Sequence, residues 1–263
     1  MAATDPSVVV HDVHVRYRTF GGKRNALRPP DENGLSRLLG RATEHVGAVT
    51  EIHAVRGVSF VAHEGESIGI IGRNGSGKST LLRAVAGLIP TASGEVYAKG
   101  NVALLGVNAA LMSSLSGTRN VTLGCLAQGM TRRQAKAVYE EIVELAGIGE
   151  FIQLPMKAYS SGMAARLRFA ISSATTPDVL IIDEALATGD AEFRIRSAER
   201  VEEIRAEAGT VLIVSHSLSS VTSMCSRAIW IEEGTVRADG DPEEVGAMYT
   251  EFVAQRRGRK GGS

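Results

Sequence analysis

The sequence predicts an α/β fold: a three-layer core around a parallel sheet, one helical subdomain inserted between its halves, and a small N-terminal antiparallel β region. Three observations support this prediction. A strand-like run at 67–71 leads through a glycine-rich turn into a helical pattern. Short apolar runs at 179–182, 211–214 and 229–231 are typical of strands buried on both faces. Between these groups, residues 115–174 have a mostly helical pattern.

Composition indicates an ordinary globular protein and argues against a dedicated nucleic-acid binder. Of the 263 residues, 44% are apolar and 22% are charged, which is close to globular averages. The 29 Lys and Arg residues are balanced by 29 Asp and Glu residues, whereas nucleic-acid binders usually have a basic excess. Cys125 and Cys225 show no metal-ligand spacing, so we expect buried free thiols in a reducing compartment.

The N-terminal residues, the apolar runs and the last residues of the sequence indicate where in the cell the chain is located. Residues 1–6 contain no basic patch followed by an apolar core, so we expect no secretory signal. The longest apolar runs, such as 179–182, have the length of a strand and are far too short to cross a membrane. We therefore expect a cytosolic chain. The last residues, 253–263, form a basic tail that is either a solvated, disordered end or a contact to anionic lipid headgroups.

Taken in chain order, the N-terminal region contains two predicted strands separated by a polar insertion. The first strand covers residues 8–17 and the second covers 55–60. The insertion, residues 18–50, is polar and basic. Three leucines at helical spacing within it favour either a short amphipathic surface helix or a surface insertion of no special role: Leu35, Leu38 and Leu39.

The next elements alternate between strand and helix. After the strand at 67–71, a helix is predicted over 78–88, ending near Pro90. Further strands are predicted near Val96 and at 102–105, and the helical subdomain is predicted at roughly 107–174. Strand–helix alternation then returns with the three apolar runs described above.

A phosphate-binding loop is the most specific motif in the chain. Residues 72–79 match G-x-x-x-x-G-K-[ST], between a predicted strand and a predicted helix, as the motif requires. Glycines let backbone N–H groups point at phosphate oxygens, and the helix N-terminus favours the same negative charge. A chance match of a glycine-rich turn is the alternative, and the agreement of strand, loop and helix disfavours it. We predict that Lys78 bridges the β- and γ-phosphates and that Ser79 holds Mg²⁺. The predicted nucleotide-binding residues of the loop are Gly72, Asn74, Gly75, Ser76, Gly77, Lys78, Ser79 and Thr80.

Two further segments supply candidate catalytic groups. The apolar strand at 179–182 ends in Asp183 and Glu184, although adjacent acids are costly at the end of a buried strand. Mg²⁺ explains Asp183, and Glu184 is placed to polarise a water for attack on the γ-phosphate. Solvated acids at a strand end are the alternative. His216 follows the strand at 211–214, where ligands bind in such sheets, so we predict a hydrogen bond to the γ-phosphate, with a structural histidine as the alternative.

A second loop of small residues precedes a strongly helical run. Residues 159–163 read Tyr-Ser-Ser-Gly-Met, and a helix N-terminus after such a loop is a second anion site. One chain has one obvious nucleotide pocket, so this second site is expected to serve the nucleotide of another chain. The sequence therefore predicts a homodimer with ATP at its interface.

With these residues the sequence resembles the ATP-binding cassette (ABC) ATPase family, whose core is a RecA-like phosphate-loop domain, over residues 1–252. Ser160, Ser161 and Gly162 occupy the place of the family's signature loop, commonly Leu-Ser-Gly-Gly-Gln, which by resemblance completes the partner's ATP site. By the same resemblance, Asp190 lies in the loop that links the two sites. Tyr17 matches the aromatic residue that stacks on adenine, unless it is an ordinary strand tyrosine.

Within the family the match is to exporters of polysaccharides, teichoic acids and O-antigen. The stretches 159–163, 183–193 and 115–121 and the insertion at 18–50 are similar to that subgroup. The resemblance implies an ATP- and Mg²⁺-dependent subunit at the cytoplasmic face of the membrane. Two copies would join two integral membrane subunits to export a lipid-linked polymer, with no nucleic-acid partner.

Two points leave alternatives open. The family usually has a Gln after the strand at 102–105, whereas residues 106–110 contain none, and Asn108 is an uncertain substitute. An ABC importer subunit for small solutes is the main alternative function. A soluble ABC ATPase acting on DNA or ribosomes is disfavoured, because such proteins usually carry paired cassettes or long coiled-coil insertions.

Overall fold

The computed structural model describes residues 5–19, 50–105, 111–183, 191–215 and 217–260. Within these ranges the strands are β1 (Pro6–Thr19), β2 (Thr50–His63), β3 (Ser67–Ile71), β4 (Ser93–Ala98), β5 (Val102–Leu104), β6 (Val179–Asp183), β7 (Thr210–Val214), β8 (Arg227–Glu232) and β9 (Thr235–Gly240). The helices are α1 (Lys78–Val85), α2 (Gly117–Ala127), α3 (Arg132–Ala137), α4 (Tyr139–Ala146), α5 (Ser161–Ser172), α6 (Ala191–Glu207), α7 (Leu218–Met224) and α8 (Pro242–Lys260). Two 3₁₀ turns, Gly149–Gln153 and Met156–Ala158, lie between α4 and α5.

The central sheet has six strands in the order β5-β6-β7-β3-β8-β9. Its strands are parallel, except that β9 runs antiparallel to β8. Apolar side chains alternate between two packed faces: on β7, Leu212 and Val214 belong to one buried cluster, and Val211 and Ile213 belong to the other. This explains why the strand sequences read as unbroken apolar runs.

A small antiparallel sheet, β2-β1-β4, covers one face of the central sheet together with α1. Residues from α6, α7 and α8 pack on the opposite face. Helices α2 to α5 form a separate cluster around residues such as Val121 and Leu167, and they lie between β5 and β6 in the chain. The predicted fold class, an α/β core with an inserted helical region and an N-terminal antiparallel sheet, is confirmed.

Several local features also agree with the sequence. Thr131 lies within the region predicted to be helical and caps α3 through a capping box with Gln134. Cys125 and Cys225 are buried and free. In none of the helices of the described ranges is there a stretch long and apolar enough to cross a membrane.

Two predicted boundaries differ from the structure, and one strand was not predicted. Helix α1 ends at Val85 and not at Leu88, because the chain turns at Gly87 and the Leu88 N–H bonds the Arg83 carbonyl at 2.9 Å, closing the helix end. The insertion was predicted to begin at residue 18, but Arg18 still lies in β1, paired with Glu51 of β2. Strand β9 was not predicted, because its alternation contains Arg237 and Asp239 and resembles a polar loop.

The basic tail is the clearest difference. A solvated, disordered end was one of the two alternatives for the tail from residue 253 onward, whereas α8 continues to Lys260. Aromatic side chains pack α8 against β8. The ring centroids of Tyr249 and Phe252 on α8 lie 5.6 and 5.0 Å from the ring centroid of Trp230 on β8. Edge-to-face packing of this kind stabilises the helix beyond the area that it buries.

Candidate functional site

The phosphate-binding loop lies between β3 and α1, and its backbone packs closely against its surroundings. Strand β3 ends at Ile71 and α1 begins at Lys78, as the motif predicted. At Gly77, φ is 104°, and a Cβ there would collide with the Ala54 carbonyl of β2. A side chain at this position would therefore force β2 and the loop apart.

The loop lines an open cavity of about 270 Å³ at the carboxyl edge of the central sheet. Its described lining consists of residues 74–80, Asp183 and Val214. Asp183 ends β6 and is paired with Val214 at the end of β7. Two parallel strands and the loop after a third thus meet at one edge, where ligands bind in sheets of this type.

Lys78 is buried and held close to the loop backbone. Its Nζ donates hydrogen bonds to the carbonyls of Gly72 at 2.7 Å and Arg73 at 2.9 Å. The Ser76 hydroxyl is also buried, and it has no hydrogen-bond partner among the described residues. A positive charge beside an unsatisfied polar atom fits an anionic ligand that would accept from both.

Ser79 and Asp183 line the same cavity from α1 and β6. A hydroxyl and a carboxylate are hard oxygen ligands of the kind that Mg²⁺ binds, with phosphate and water oxygens as its other ligands. The residues present therefore fit the predicted Mg²⁺ site.

Tyr17 lies near the phosphate loop, at the far end of β1. Its hydroxyl is 3.5 Å from Thr80 Oγ1, and the side chain is partly exposed. The structure thus places an exposed aromatic ring next to the nucleotide cavity.

The predicted signature residues lie at the start of α5 and outside this cavity. Ser160 caps the helix, since its Oγ accepts a hydrogen bond from the Met163 N–H at 3.2 Å, and the helix begins at Ser161. The described lining of the phosphate cavity includes neither serine nor Gly162. The two elements that the sequence predicts to bind anions, the phosphate loop and the start of α5, therefore lie at different places in the chain.

Four predicted site residues lie outside the described residues. They are Glu184, Asp190 and His216, together with Asn108 in the segment that lacks the usual glutamine. The structure starts again at Ala191, the first residue of α6, and at Ser217, the N-cap of α7.

Sequence reasoning missed Val214 and Arg73. Val214 was assigned to a strand but not to the site, although its position at the end of a strand beside Asp183 was a usable signal. Arg73 occupies a variable position of the motif, and its carbonyl accepts from Lys78 Nζ and from the Ser76 N–H at 3.1 Å. Nothing in the motif indicates that role.

A second, apolar cavity lies on the surface of α2. It has a volume of about 340 Å³, and its lining residues are Leu115, Thr118, Arg119, Thr122, Leu123 and Leu126. Other exposed apolar side chains occur in the same helical region, among them Met112, Phe151 and Leu154. Such a concentration of exposed apolar surface is typical of a protein-binding face.

Together, the parallel sheet, the loop before α1 and the cavity at the strand ends define a phosphate-loop nucleotide-binding domain. The ABC transporter family model matches residues 55–187, about half of the chain, and the chain belongs to that family. The predicted family resemblance is confirmed.

Two proteins that are more than 40% identical to this chain share one name. The chain is 45% identical over 200 residues to the teichoic acids export ATP-binding protein TagH of Listeria monocytogenes, an alignment that covers 76% of this chain and 60% of that protein. It is 41% identical to the protein of the same name from Staphylococcus epidermidis, over 76% of each. The chain thus spans less than two thirds of the length of the Listeria relative.

Solved structures with the same fold are more distant in sequence. An ATP-binding subunit of an ABC transporter superposes with a TM-score of 0.66 at 19% identity, covering 93% of both chains. A dimeric ATP-binding cassette bound to ADP and Pi superposes with a TM-score of 0.64 at 19% identity, covering 89% of this chain and 98% of that one. These likenesses establish the fold.

Proposed function

We propose that this chain is the ATP-hydrolysing, nucleotide-binding subunit of an ABC exporter that moves a lipid-linked cell-surface polymer, namely teichoic acid, across the cytoplasmic membrane. The observation that carries the ATP part is the cavity in which Lys78, Ser79 and Asp183 converge. The polymer class rests on the 45% identity to a protein named for teichoic acid export.

The residues of the cavity divide the work of phosphoryl transfer, which is mainly positioning and charge stabilisation. Lys78 exchanges its bonds to loop carbonyls for bonds to the β- and γ-phosphates. Ser79 and Asp183 would hold Mg²⁺, which would supply positive charge beside the phosphates. Tyr17 stacks on the adenine ring. Outside the described residues, Glu184 orients the attacking water and His216 contacts the γ-phosphate.

A homodimer completes each site. Ser160 to Gly162 lie at the start of α5, away from the chain's own phosphate cavity, so they are available to the nucleotide of a second copy. The positive end of that helix stabilises the γ-phosphate charge across the interface. By the family resemblance, Asp190, which lies outside the described residues, is proposed to couple the two sites. ATP binding closes the dimer, and hydrolysis opens it.

The membrane subunits, two per dimer, are proposed to contact the apolar cavity on α2. This contact would hold the chain at the cytoplasmic face of the membrane as a peripheral subunit. Leu126 lines the cavity and is 37% exposed, and Leu88 at the end of α1 is 39% exposed but outside the cavity. Leu126→Asp should abolish co-purification with a multi-span membrane protein, and Leu88→Asp should not. Equal retention of that protein by both variants would refute the docking site.

The nucleotide site is tested with purified protein. Lys78→Ala should abolish ATP binding, whereas Lys99→Ala, which removes an exposed lysine paired with Glu64, should leave it unchanged. Glu184→Gln should bind ATP, accumulate as a dimer and lose hydrolysis. Size-exclusion chromatography with ATP and a phosphate-release assay measure both effects. A Glu184→Gln protein that hydrolyses ATP at the wild-type rate would show that another group activates the water.

A further inference from the structure

The turn between β8 and β9 packs directly against the back of the phosphate loop. The Gly234 N–H donates to the Ser76 carbonyl at 2.9 Å, and the Gly234 carbonyl accepts from the Arg56 N–H at 2.8 Å. Glu233 has a φ of 51°, which is uncommon for a residue other than glycine. The turn is therefore fixed between β2 and the loop.

Glu232, the last residue of β8, is a buried carboxylate shared by two arginines. It is 3% exposed, and its Oε1 lies 3.5 Å from Arg73 Nη1 and 3.2 Å from Arg256 Nη1. Its Oε2 is buried and has no hydrogen-bond partner among the described residues. A buried carboxylate is costly unless it is paired, and the two arginines supply that pairing.

The two arginines belong to different parts of the fold. Arg73 lies in the phosphate loop, where its carbonyl accepts from Lys78 Nζ and the Ser76 N–H. Displacement of Arg73 would therefore change the backbone atoms that position both groups.

Arg256 lies on α8, the helix anchored on β8. Its guanidinium stands 5.3 Å from the centre of the Phe252 ring, and that ring packs on Trp230, two residues before Glu232. Arg256 also approaches the Glu233 carboxylate at 3.8 Å. The C-terminal helix therefore contacts the strand end that holds the phosphate loop.

We propose that Glu232 is a positioning residue that couples the C-terminal helix α8 to the phosphate loop, so that release of the Arg256 end of α8 weakens nucleotide binding. This inference rests on the proposed nucleotide site. It adds a route by which contacts made on α8 change the affinity for ATP.

The primary test compares two arginines in the same neighbourhood. Arg256 and Arg237 both line a cavity of about 230 Å³ beside Glu232, but of these two arginines only Arg256 forms an ion pair with Glu232 among the described contacts. Arg256→Gln should raise the Kd for ATP by about two- to five-fold, the range for breaking a partly exposed ion pair. Arg237→Gln removes the same charge and should leave the Kd within error of wild type.

A double-mutant cycle tests whether Arg256 affects the Kd for ATP through Glu232. In a Glu232→Gln background, Arg256→Gln should change the Kd no further, because the shared carboxylate is gone. Equal effects of Arg256→Gln and Arg237→Gln, or a full Arg256→Gln effect in the Glu232→Gln background, would refute the coupling. Wild-type protein that binds no ATP would refute the proposed function as well, so the two failures are distinguishable.

The single tryptophan provides an independent readout. Trp230 is the only tryptophan in the sequence, and it packs against α8. Its emission should change when ATP binds to the wild-type protein and should not change in Glu232→Gln, even at saturating ATP. Glu64→Gln, the same substitution in the exposed pair with Lys99, should keep the response. Thermal melting establishes that the variants are folded, and Arg256→Gln, at a half-exposed position, serves if Glu232→Gln unfolds. If ATP changes the Trp230 emission of Glu232→Gln and of Arg256→Gln as much as it changes that of the wild-type protein, the proposal is refuted.

Discussion

Substitution of alanine at Gly77 tests how closely the phosphate loop packs against β2. Gly77 has a φ of 104°, and a Cβ there would collide with the backbone carbonyl of Ala54. Gly75 offers a matched control in the same loop. Its φ is 80°, but apart from Gly75 itself and its two chain neighbours no described residue has an atom within 4 Å of the position that its Cβ would occupy.

The collision with Ala54 determines how much more the free energy of unfolding falls for Gly77→Ala than for Gly75→Ala. Both substitutions place a side chain at positive φ, which costs about 1–3 kcal/mol. Gly77→Ala adds a collision with backbone that cannot rotate away, and overpacking of this kind costs about 1–3 kcal/mol more. We therefore expect the free energy of unfolding to fall further for Gly77→Ala than for Gly75→Ala by about 1–3 kcal/mol.

Urea denaturation at 25 °C, followed by far-UV circular dichroism, measures both values. The comparison requires equal m-values, since a change in m would indicate a change in the unfolded or native state. A difference below about 0.5 kcal/mol, the usual effect of a neutral substitution, would refute the close packing at Gly77.

Further predictions concern two buried side chains, Asn120 and Cys225, and the proposed metal ligand Asp183. Asn120 is fully buried, and its amide bonds the N–H and carbonyl of Met112 at 2.8 and 2.9 Å. Asn120→Ala should therefore lower the free energy of unfolding by at least about 2 kcal/mol, with the exposed Thr122→Ala as control. Burial raises the pKa of Cys225 from 9.0 to about 11, so native protein at pH 8 should be alkylated far more slowly than protein in urea. Between about pH 9 and pH 11 the unfolded thiol ionises while the buried thiol stays protonated, so the free energy of unfolding should fall as the pH rises through this interval. Asp183→Asn should raise the Mg²⁺ concentration needed for half-maximal ATP hydrolysis by about tenfold or more, and an unchanged requirement would remove Asp183 from the metal site.

The sequence predicted the site best where one motif fixes both backbone and chemistry. The end of β3 and the start of α1 agree with prediction, because the loop between Ile71 and Lys78 has little conformational choice. Asp183 was placed correctly at a strand end, because a carboxylate after four apolar residues is unusual. The start of α5 after Ser160 could also be predicted, because serine is a preferred N-cap residue.

Features that depend on distant parts of the chain could not be predicted. Glu232 and Glu233 read as an ordinary polar turn, and only the folded chain shows one of them buried between Arg73 and Arg256. The extension of α8 through the basic tail depends on the packing of Phe252 against Trp230, which has no local signal. Tertiary contacts override local propensity in both cases.

The pairing of β1 with β2 has a consequence for how this protein can diversify. The ladder ends with the pair Thr19 and Thr50, so the two strand ends that flank residues 20–49 are adjacent. The entropic cost of closing such a loop grows only with the logarithm of its length. A segment bounded in this way can be lengthened, shortened or grafted from a related protein while the register of the sheet is kept. Specialisation at this position can therefore proceed without altering the nucleotide-binding core.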